Sequence, residues 1–410
     1  MWPFSLILGI YFIRTIIYFL LPSGKPRRKD PGEKEFTPSV DILVPMYNEE
    51  SVILETIRNL LEIKYDKLSI IVVDDGSTDN SFRIVKKYFG SHPLITLLRQ
   101  PNGGKSSALN HAIKISNSDI AVTIDADTWV RPDAIRNILR YFRDPNVGAV
   151  AGHIKVGNRT NLLTEMQYFE YIAIWDNDRA FSDLVNGILI VPGALGAFRR
   201  SAVDAVGGFE TTVIAEDTEL TLRLLYNDYT IRNAADAVAY TEAPDNLRMF
   251  FRQRVRWTTG LTQGLVRHSA TLARHYPALA WLILPFTWAF RVVLPLLLPL
   301  ADYYFLYAWL WLGRQDTLVC WTAIILTEAM TNLFILSKNQ ERVSIFKLTL
   351  LQRMYRHLLF FNYWFIFMKG VNGTLFSWGK VVKKGNLSLK DLSLKDKTAP
   401  EPAPTASPKP

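Results

Sequence analysis

Residues 40–75 decide the fold, and they read VDILVPMYNEESVILETIRNLLEIKYDKLSIIVVDD. An apolar run at 40–44 is followed by a stretch of helical period at 51–62 and by a second apolar run at 70–73. Further apolar runs stand at 94–98, 120–124 and 147–151, and further helical-period stretches at 79–89, 105–115 and 133–142. Buried strands that alternate with helices predict an α/β domain with a mostly parallel sheet.

The composition excludes several classes of protein. The chain has 410 residues, including 11 Trp, 17 Tyr and 23 Phe, so disorder is excluded for all but about the last twenty residues. The one cysteine, Cys320, excludes an internal disulfide framework and a zinc site built on cysteines. The formal net charge of +9 is compatible with nucleic acid, an anionic membrane face or an anionic substrate, so its location matters. The mean hydropathy is only +0.07 because apolar stretches near both ends offset a hydrophilic middle.

The first apolar stretch, residues 3–22, is long enough to cross a hydrocarbon core of about 30 Å. A signal peptide carries its charges before the apolar run. Here the basic residues follow it, and they are Lys25, Arg27, Arg28 and Lys29. We therefore expect a retained transmembrane anchor over 1–24 and a cytoplasmic domain over 25–245. Arg14 lies inside the anchor and must either snorkel or find a partner.

The second half of the chain is predicted to associate with a membrane. Residues 246–275 mix arginines with aromatic residues, which is typical of a helix that lies on an anionic membrane face. The arginines are Arg248, Arg252, Arg254, Arg256 and Arg267. Long apolar stretches predict α-helical transmembrane segments within 276–375. These stretches are 277–312, broken by prolines, 318–336 and 354–371.

The charges leave the topology of these segments open. The loop before the last segment is expected on the cytoplasmic side because of its basic residues, which are Lys338, Arg342, Lys347 and Arg353. Three spans would then place the tail outside. Residues 376–410, however, form a basic, Pro-rich tail that we expect to be disordered and cytoplasmic. Either 277–312 crosses twice, or the last segment is interfacial or re-entrant.

Polar residues follow directly after three of the predicted strands. They are 45–49 (PMYNE), 74–77 (DDGS) and 125–127 (DAD). In open α/β sheets ligands bind beyond the C-terminal ends of the strands, so these residues are expected to meet at one crevice. Carboxylates that converge in this way repel one another unless a cation or a ligand compensates for their charge.

Each of these motifs has an ordinary interpretation and a functional one. Asp125 and Asp127 could belong to a solvated turn, or could share a divalent cation with a substrate diphosphate. Asp75 suits a turn before glycine, or could accept a hydrogen bond from a nucleotide base or ribose. Lys105, after the sequence NGG, could open the next helix or contact a phosphate.

Two further sets of residues lie downstream. Glu216 and Asp217 precede a stretch of helical period, where carboxylates favour the helix dipole and where a general base could also lie. Gln253, Arg256 and Trp257 share one face of a helix because of their spacing. They could belong to an interfacial helix, or Arg256 could neutralise a leaving diphosphate while Trp257 stacks on a sugar ring.

Taken in order, these motifs resemble the membrane-embedded, inverting family 2 glycosyltransferases, the group of cellulose, chitin, hyaluronan and poly-N-acetylglucosamine synthases. The resemblance covers about residues 38–260 and extends to the flanking membrane segments. The stretches most similar to the poly-N-acetylglucosamine synthases are 102–110 (NGGKSSALN), 192–203 (PGALGAFRRSAV) and 252–257 (RQRVRW). The sequence departs from the pattern at Ala215, where many relatives carry Thr, and at 258–260 (TTG).

On the donor side, the resemblance implies a GT-A-type nucleotide-sugar-binding domain. Lys105 and Asp125 would lie beside the diphosphate, and Asp127, together with Asp125, would ligate Mg²⁺ or Mn²⁺. The residues that would hold the uridine are Pro45, Tyr47, Glu49 and Asp75.

On the acceptor side, the resemblance implies a single displacement with inversion at the anomeric carbon. Asp217, next to Glu216, would be the general base that deprotonates the acceptor hydroxyl. Gln253, Arg256 and Trp257 would frame the acceptor end and the leaving UDP. Such a reaction needs one base and one stabilised leaving group, and it needs no protein nucleophile.

The resulting prediction is an inverting, metal-dependent β-glycosyltransferase of the inner or plasma membrane, with several spans and a cytoplasmic catalytic domain. It would use a UDP-sugar, with UDP-N-acetylglucosamine favoured, to elongate an exopolysaccharide and translocate it. Its expected partners are the UDP-sugar, the growing polysaccharide, the lipid bilayer and, as a further candidate, an accessory membrane subunit. Nucleic acid is not expected, because the excess of Lys and Arg clusters beside apolar spans, where anionic lipid explains it.

Two alternatives stay open at this point. One is a non-processive membrane glycosyltransferase that adds a single sugar to a lipid or glycan. The other is a nucleotide-sensing or transport protein of the membrane whose α/β domain binds nucleotide without catalysis.

Overall fold

The computed structural model describes residues 2–20, 36–172, 176–276, 279–339 and 344–371. The basic residues predicted to flank the anchor and the tail predicted at 376–410 lie outside the described residues. The described part of the chain consists of an α/β domain and a set of long helices that includes the N-terminal one.

The strands of the described part are β1 (Val40–Met46), β2 (Leu68–Asp74), β3 (Ile95–Arg99), β4 (Ile120–Thr123), β5 (Trp129–Val130), β6 (Val147–Val156), β7 (Gly196–Arg199) and β8 (Thr230–Thr241). The helices of the α/β domain are α2 (Ile53–Leu61), α3 (Ser81–Phe89), α4 (Lys105–Ile115), α5 (Ala134–Leu139), α6 (Leu162–Glu170), α7 (Asp176–Leu184), α8 (Arg200–Ala205) and α9 (Glu216–Tyr226). The remaining helices are α1 (Trp2–Leu20), α10 (Leu247–His275), α11 (Leu284–Trp288), α12 (Leu294–Leu312), α13 (Gln315–Asn339) and α14 (Ile345–Val371).

The strands form one sheet in the order β3-β2-β1-β4-β7-β6-β8-β5 among the residues that the structure describes. β1 runs parallel to β2 and β4, and β2 runs parallel to β3, which confirms the predicted parallel arrangement for this half. β7 is antiparallel to both β4 and β6, and β5 is antiparallel to β8, so the sheet is mixed. β5, β7 and β8 were not among the predicted strands.

The apolar runs form strands because both faces of the sheet are covered. Along β1, Ile42 and Val44 belong to one hydrophobic cluster, whereas Leu43 belongs to the cluster on the other face. Ile57 of α2 packs into the first cluster, and Leu109 of α4 packs into the second. A strand that is buried on both faces needs a near-continuous apolar run, and at 40–44 the sequence is apolar except at Asp41.

The long helices pack against one another and against the α/β domain. α10 packs on α9, while α12, α13 and α14 pack together and α1 lies against α13 and α7. Residues 279–312 are helical throughout, because π-helical turns at Leu279–Ile283 and Ala289–Val293 connect with α11 and α12 directly.

One helical segment among the described residues, Gln315–Ser337, is long and apolar enough to cross a membrane. It contains the span predicted at 318–336. Length and composition alone carry this assignment, and a single helix of this kind also occurs in the cores of soluble proteins.

Several charged residues lie elsewhere than the sequence analysis placed them. Lys347 and Arg353 were predicted in a loop, but both are residues of α14. Arg353 forms ion pairs with Asp302 of α12 and with Glu328 of α13, at 2.8 Å for the latter. Lys338 lies in α13, and Arg342 lies outside the described residues. The prediction of a basic loop between the last two helices is therefore wrong for Lys347 and Arg353.

The prediction that the arginines of 246–275 face a membrane surface is wrong for Arg254. This side chain is only 6% exposed and forms an ion pair with Glu170 of α6. Arg14 of α1 was predicted either to snorkel or to find a partner, and in the structure it has partners. Its guanidinium lies 3.5 Å from the carboxylate of Asp178 and donates to the hydroxyl of Tyr18 at 2.7 Å.

Candidate active site

The C-terminal ends of β1, β2 and β4 open into one cavity of about 1020 Å³. The N-terminal turn of α9 and one face of α10 also line this cavity. The structure brings all the predicted site residues to this cavity, and they are Pro45, Tyr47, Glu49, Asp75, Lys105, Asp125, Asp127, Glu216, Asp217, Gln253, Arg256 and Trp257.

Asp75 is buried at the end of β2, where its carboxylate organises the next loop. One oxygen accepts hydrogen bonds from the side chain of Gln100 and the backbone N–H of Gly103, both at 2.8 Å. The other oxygen accepts from the backbone N–H of Gly104 at 2.8 Å. Asp75 therefore positions the loop that leads into α4, in addition to the predicted contact with a nucleotide.

Gly76 permits this arrangement because its φ of +74° is a backbone conformation that residues with a side chain rarely adopt. A Cβ atom at Gly76 would lie 2.8 Å from the backbone N of Asn102. The loop after β1 is fastened to the same region, because the backbone N–H of Asn48 donates to Ser77 at 3.0 Å and that of Glu49 donates to Ser81 at 2.8 Å. The two strand-end loops thus form one connected wall.

Lys105 supplies the positive charge among the converging carboxylates. Its Nζ atom lies 2.6 Å from Asp125 and 3.2 Å from Glu216. Partial burial by itself would lower the pKa of Lys105, but Asp125 and Glu216 outweigh it, so the net pKa is raised and the side chain stays protonated. Gly193 leaves room for this ammonium group, since a Cβ atom there would lie 2.5 Å from Nζ.

Asp217 lies in the first turn of α9, and its environment disfavours the ionised form. Burial and the neighbouring Glu216 raise the pKa of Asp217 from 3.8 to about 6, against the opposing effect of Lys105. The carboxylate also accepts a hydrogen bond from the backbone N–H of Thr218 at 2.7 Å, which favours ionisation. A carboxylate with this pKa is ionised at neutral pH and basic enough to accept a hydroxyl proton.

Asp125 and Asp127 offer a partial set of metal ligands. Among the described residues, no group of three or more His, Cys, Asp or Glu side chains is arranged to hold a metal ion. Mg²⁺ characteristically binds one or two carboxylates together with substrate phosphates and water. The two carboxylates therefore fit a cation that a nucleotide diphosphate completes, and they do not form a closed protein site.

α10 places its predicted residues along the cavity in different environments. Arg256 is exposed, whereas Gln253 and Trp257 are half-buried. The Oε1 atom of Gln253 is buried and has no hydrogen-bond partner among the described residues. A buried acceptor that lines a cavity is suited to bind a hydroxyl or amide of a ligand.

The cavity continues beyond these residues between the long helices. Its further lining includes side chains of α12, α13 and α14, among them Leu298, Asn332, Tyr355 and Asn362. This extension was not predicted from the sequence. Glu170 of α6 and Arg14 of α1, which also line the cavity, were not predicted as site residues either. Arg14 is the one charged residue in the apolar stretch 3–22, which is a signal for an internal partner.

The α/β domain, with its mixed sheet and the carboxylates at the strand ends, has a GT-A-like glycosyltransferase fold, and a solved structure shares this fold. This structure is a mannosyltransferase from Pyrobaculum calidifontis, solved in complex with GDP-Man and Mn²⁺. The TM-score is 0.59 at 24% identity, over 83% of this chain and 97% of that one.

Residues 41–207 match the family model described as glycosyl transferase family 2, so this part of the chain is similar to that family. The chain is 32% identical over 258 residues to a poly-β-1,6-N-acetyl-D-glucosamine synthase of Staphylococcus aureus, over 63% of this chain and 61% of the relative. It is 28% identical over 268 residues to the synthase of Staphylococcus epidermidis, over 64% of this chain and 65% of the relative. The matches thus span less than two thirds of these synthases.

Proposed function

We propose that the chain is an inverting membrane β-glycosyltransferase that transfers a sugar from a UDP-sugar to the end of an exopolysaccharide. The observation that carries this proposal is the position of Asp217, whose pKa is about 6, in the same cavity as Asp125, Asp127 and Lys105. A base and an electrostatic site for a diphosphate are the two requirements of a single displacement. The similarity to the staphylococcal synthases supports N-acetylglucosamine as the sugar.

The residues of the donor side would bind and orient the nucleotide-sugar. Asp75 and the loop at 45–49 would hold the uridine, and Lys105 would exchange part of its contact with Asp125 for a phosphate oxygen. Asp125 and Asp127 would hold Mg²⁺ or Mn²⁺, which supplies positive charge to the diphosphate when bound. Arg256 would stabilise the charge that develops on the leaving UDP.

The residues of the acceptor side would activate and place the nucleophile. Asp217 would take the proton of the acceptor hydroxyl while the glycosidic bond to UDP breaks on the opposite side of the anomeric carbon, which inverts the configuration. Glu216 would keep the base from becoming too acidic, because its negative charge raises the pKa of Asp217. Gln253 and Trp257 would contact the acceptor sugar.

The long helices are proposed to embed the enzyme in the cell membrane, with the α/β domain on the cytoplasmic side. The candidate span at Gln315–Ser337 and the exposed aromatic side chains of α12 support this proposal, and Trp311 is the most exposed of these at 70%. The extension of the cavity between α12, α13 and α14 supports passage of the product through the helices. The proposed division is that predicted from the sequence. It consists of a transmembrane anchor at 1–24, the glycosyltransferase domain at 25–245, an interfacial helix region at 246–275, transmembrane helices at 276–375 and a basic tail at 376–410.

The test is transfer by the purified chain in detergent. UDP-N-acetylglucosamine, UDP-glucose and UDP-glucuronic acid are each supplied with Mg²⁺ or Mn²⁺, and both UDP release and product size are measured. We expect UDP-N-acetylglucosamine to give long product and the D217N variant to lose turnover while it still binds UDP. A single-sugar adduct would instead indicate the non-processive enzyme, and unchanged UDP release by D217N would refute the assigned base.

A further inference from the structure

The buried ion pair between Arg254 and Glu170 forms part of the cavity wall. The two guanidinium nitrogens of Arg254 donate to the two carboxylate oxygens of Glu170, at 2.9 and 2.6 Å. The side chains are only 6% and 7% exposed. A bidentate pair of this kind fixes the plane and the direction of the guanidinium as well as its charge.

Three aromatic rings surround the guanidinium of Arg254. Its Cζ atom lies 4.6 Å from the ring centre of Trp257, 5.1 Å from that of Phe250 and 5.8 Å from that of Tyr355. Phe250 and Tyr355 also contact each other edge to face, with ring centres 5.8 Å apart. The pair therefore joins α6, α10 and α14 at one point, and the indole of Trp257 lies directly against it.

Stability alone is a weak reason for a charge pair in this place. Removing two charges from water is unfavourable, and apolar side chains of similar volume would often stabilise the fold equally well. An apolar group cannot hold an indole ring through a cation–π contact. Arg254 can, because its planar guanidinium is fixed in orientation by the carboxylate of Glu170. The arrangement thus indicates a role in orienting Trp257.

We infer that Glu170 and Arg254 are positioning residues that hold the indole of Trp257 in the orientation required to engage the acceptor sugar. This inference rests on the proposed glycosyl transfer. The proposed donor site is formed by other residues, since Asp75 directly follows β2 and Lys105 is the first residue of α4. Loss of the pair should weaken acceptor binding and leave nucleotide binding unchanged.

The test compares E170Q with a matched control on the same helix. Glu165 of α6 also forms a bidentate pair, with Arg159 at 2.8 and 2.6 Å. The guanidinium of Arg159 lies 3.9 Å from the ring centre of Tyr168. Glu165 does not line the cavity. E165Q therefore makes the same chemical change in another bidentate pair of α6, which is more exposed, also contacts Lys347 at 2.9 Å and lies away from the proposed acceptor.

The first measurement is independent of activity. The chain is labelled with 5-fluorotryptophan, and the ¹⁹F resonance of Trp257 is assigned by its absence from W257F. We expect E170Q and R254K to shift or broaden this resonance and E165Q to leave it unchanged. An unchanged Trp257 resonance in E170Q would overturn the inference, whether or not the enzyme transfers sugar.

The second measurement is the kinetics of transfer to a soluble N-acetylglucosamine oligosaccharide. E170Q should raise the KM for this acceptor at least tenfold, while the KM for the UDP-sugar and the Kd for UDP change less than twofold. R254K keeps the charge but loses the planar fork, so it should act in the same direction. Equal losses on the donor and acceptor sides would show a merely structural role. If the parent transfers no sugar, the proposed function fails while the ¹⁹F result still decides the role of the pair.

Discussion

Replacing Lys105 by Gln should move the acidic limb of the pH–rate profile to higher pH. Burial and Glu216 raise the pKa of Asp217 to about 6, and the ammonium group of Lys105 opposes them. K105Q removes that opposing charge, so the pKa of Asp217 should rise further. E216Q removes a charge that raises the pKa, so this variant should move the acidic limb to lower pH. Two neighbouring substitutions are thus expected to act in opposite directions.

The magnitude for the parent follows from the pKa of Asp217, which lies about two pH units above its ordinary value of 3.8. At about 1.4 kcal/mol per pH unit, the ionised base is disfavoured by about 3 kcal/mol. About nine tenths of the base is ionised at pH 7, but only about a tenth at pH 5. The kcat/KM at pH 5 should therefore be about a tenth of its plateau value.

The assay is UDP release from the UDP-sugar at low substrate concentration between pH 4.5 and 8.5. The readout is the pH at which kcat/KM falls to half its plateau, so a lower plateau in K105Q through weaker diphosphate binding does not affect it. K105R is the control, because it keeps the positive charge and should keep the limb near that of the parent. The reasoning is refuted if K105Q and E216Q leave the limb in place or move it in the same direction.

Three further predictions concern stability. Because the raised pKa of Asp217 destabilises the fold only above about pH 4, D217N should be more stable than the parent at pH 8, by up to about 3 kcal/mol. The two proteins should unfold at the same temperature below pH 4, as followed by circular dichroism. G76A should lose about 1–3 kcal/mol of stability and bind UDP more weakly in calorimetry, because the φ of +74° strains alanine. R353M should lose about 3–5 kcal/mol by removing the Arg353 partner of both Asp302 and Glu328, while UDP binding to the α/β domain persists.

The sequence predicts the parallel half of the sheet well because β1, β2 and β4 are almost entirely buried and mostly apolar. β8 lacks this pattern, since Thr230–Thr241 mixes small alanines with Asn and Asp and only part of it is buried. β7 has four residues, too few for a periodic signal. The carboxylates of the site are recognisable because they follow the apolar runs directly, and parallel strands bring their ends together.

Glu170 could not be assigned in the same way, because its meaning depends on a residue far along the chain. Its partner Arg254 is 84 positions away, and neither residue stands in a pattern that points to the other. Glu170 stands between Phe169 and Tyr171, which indicates only that its carboxylate has some partner if it is buried. The pairing needs α6 and α10 to be brought together, which follows from tertiary structure.

Charged side chains within the long helices form ion pairs between helices. Such charges are therefore poor indicators of membrane topology. Counting Lys and Arg beside apolar segments assumes that these side chains face water or lipid headgroups. Arg353 instead binds carboxylates of α12 and α13, 51 and 25 positions away, and Arg14 binds Asp178 of α7. An arginine that is neutralised inside the protein contributes little to the orientation of a helix. R353M should therefore loosen the helices without changing which side of the membrane the α/β domain occupies.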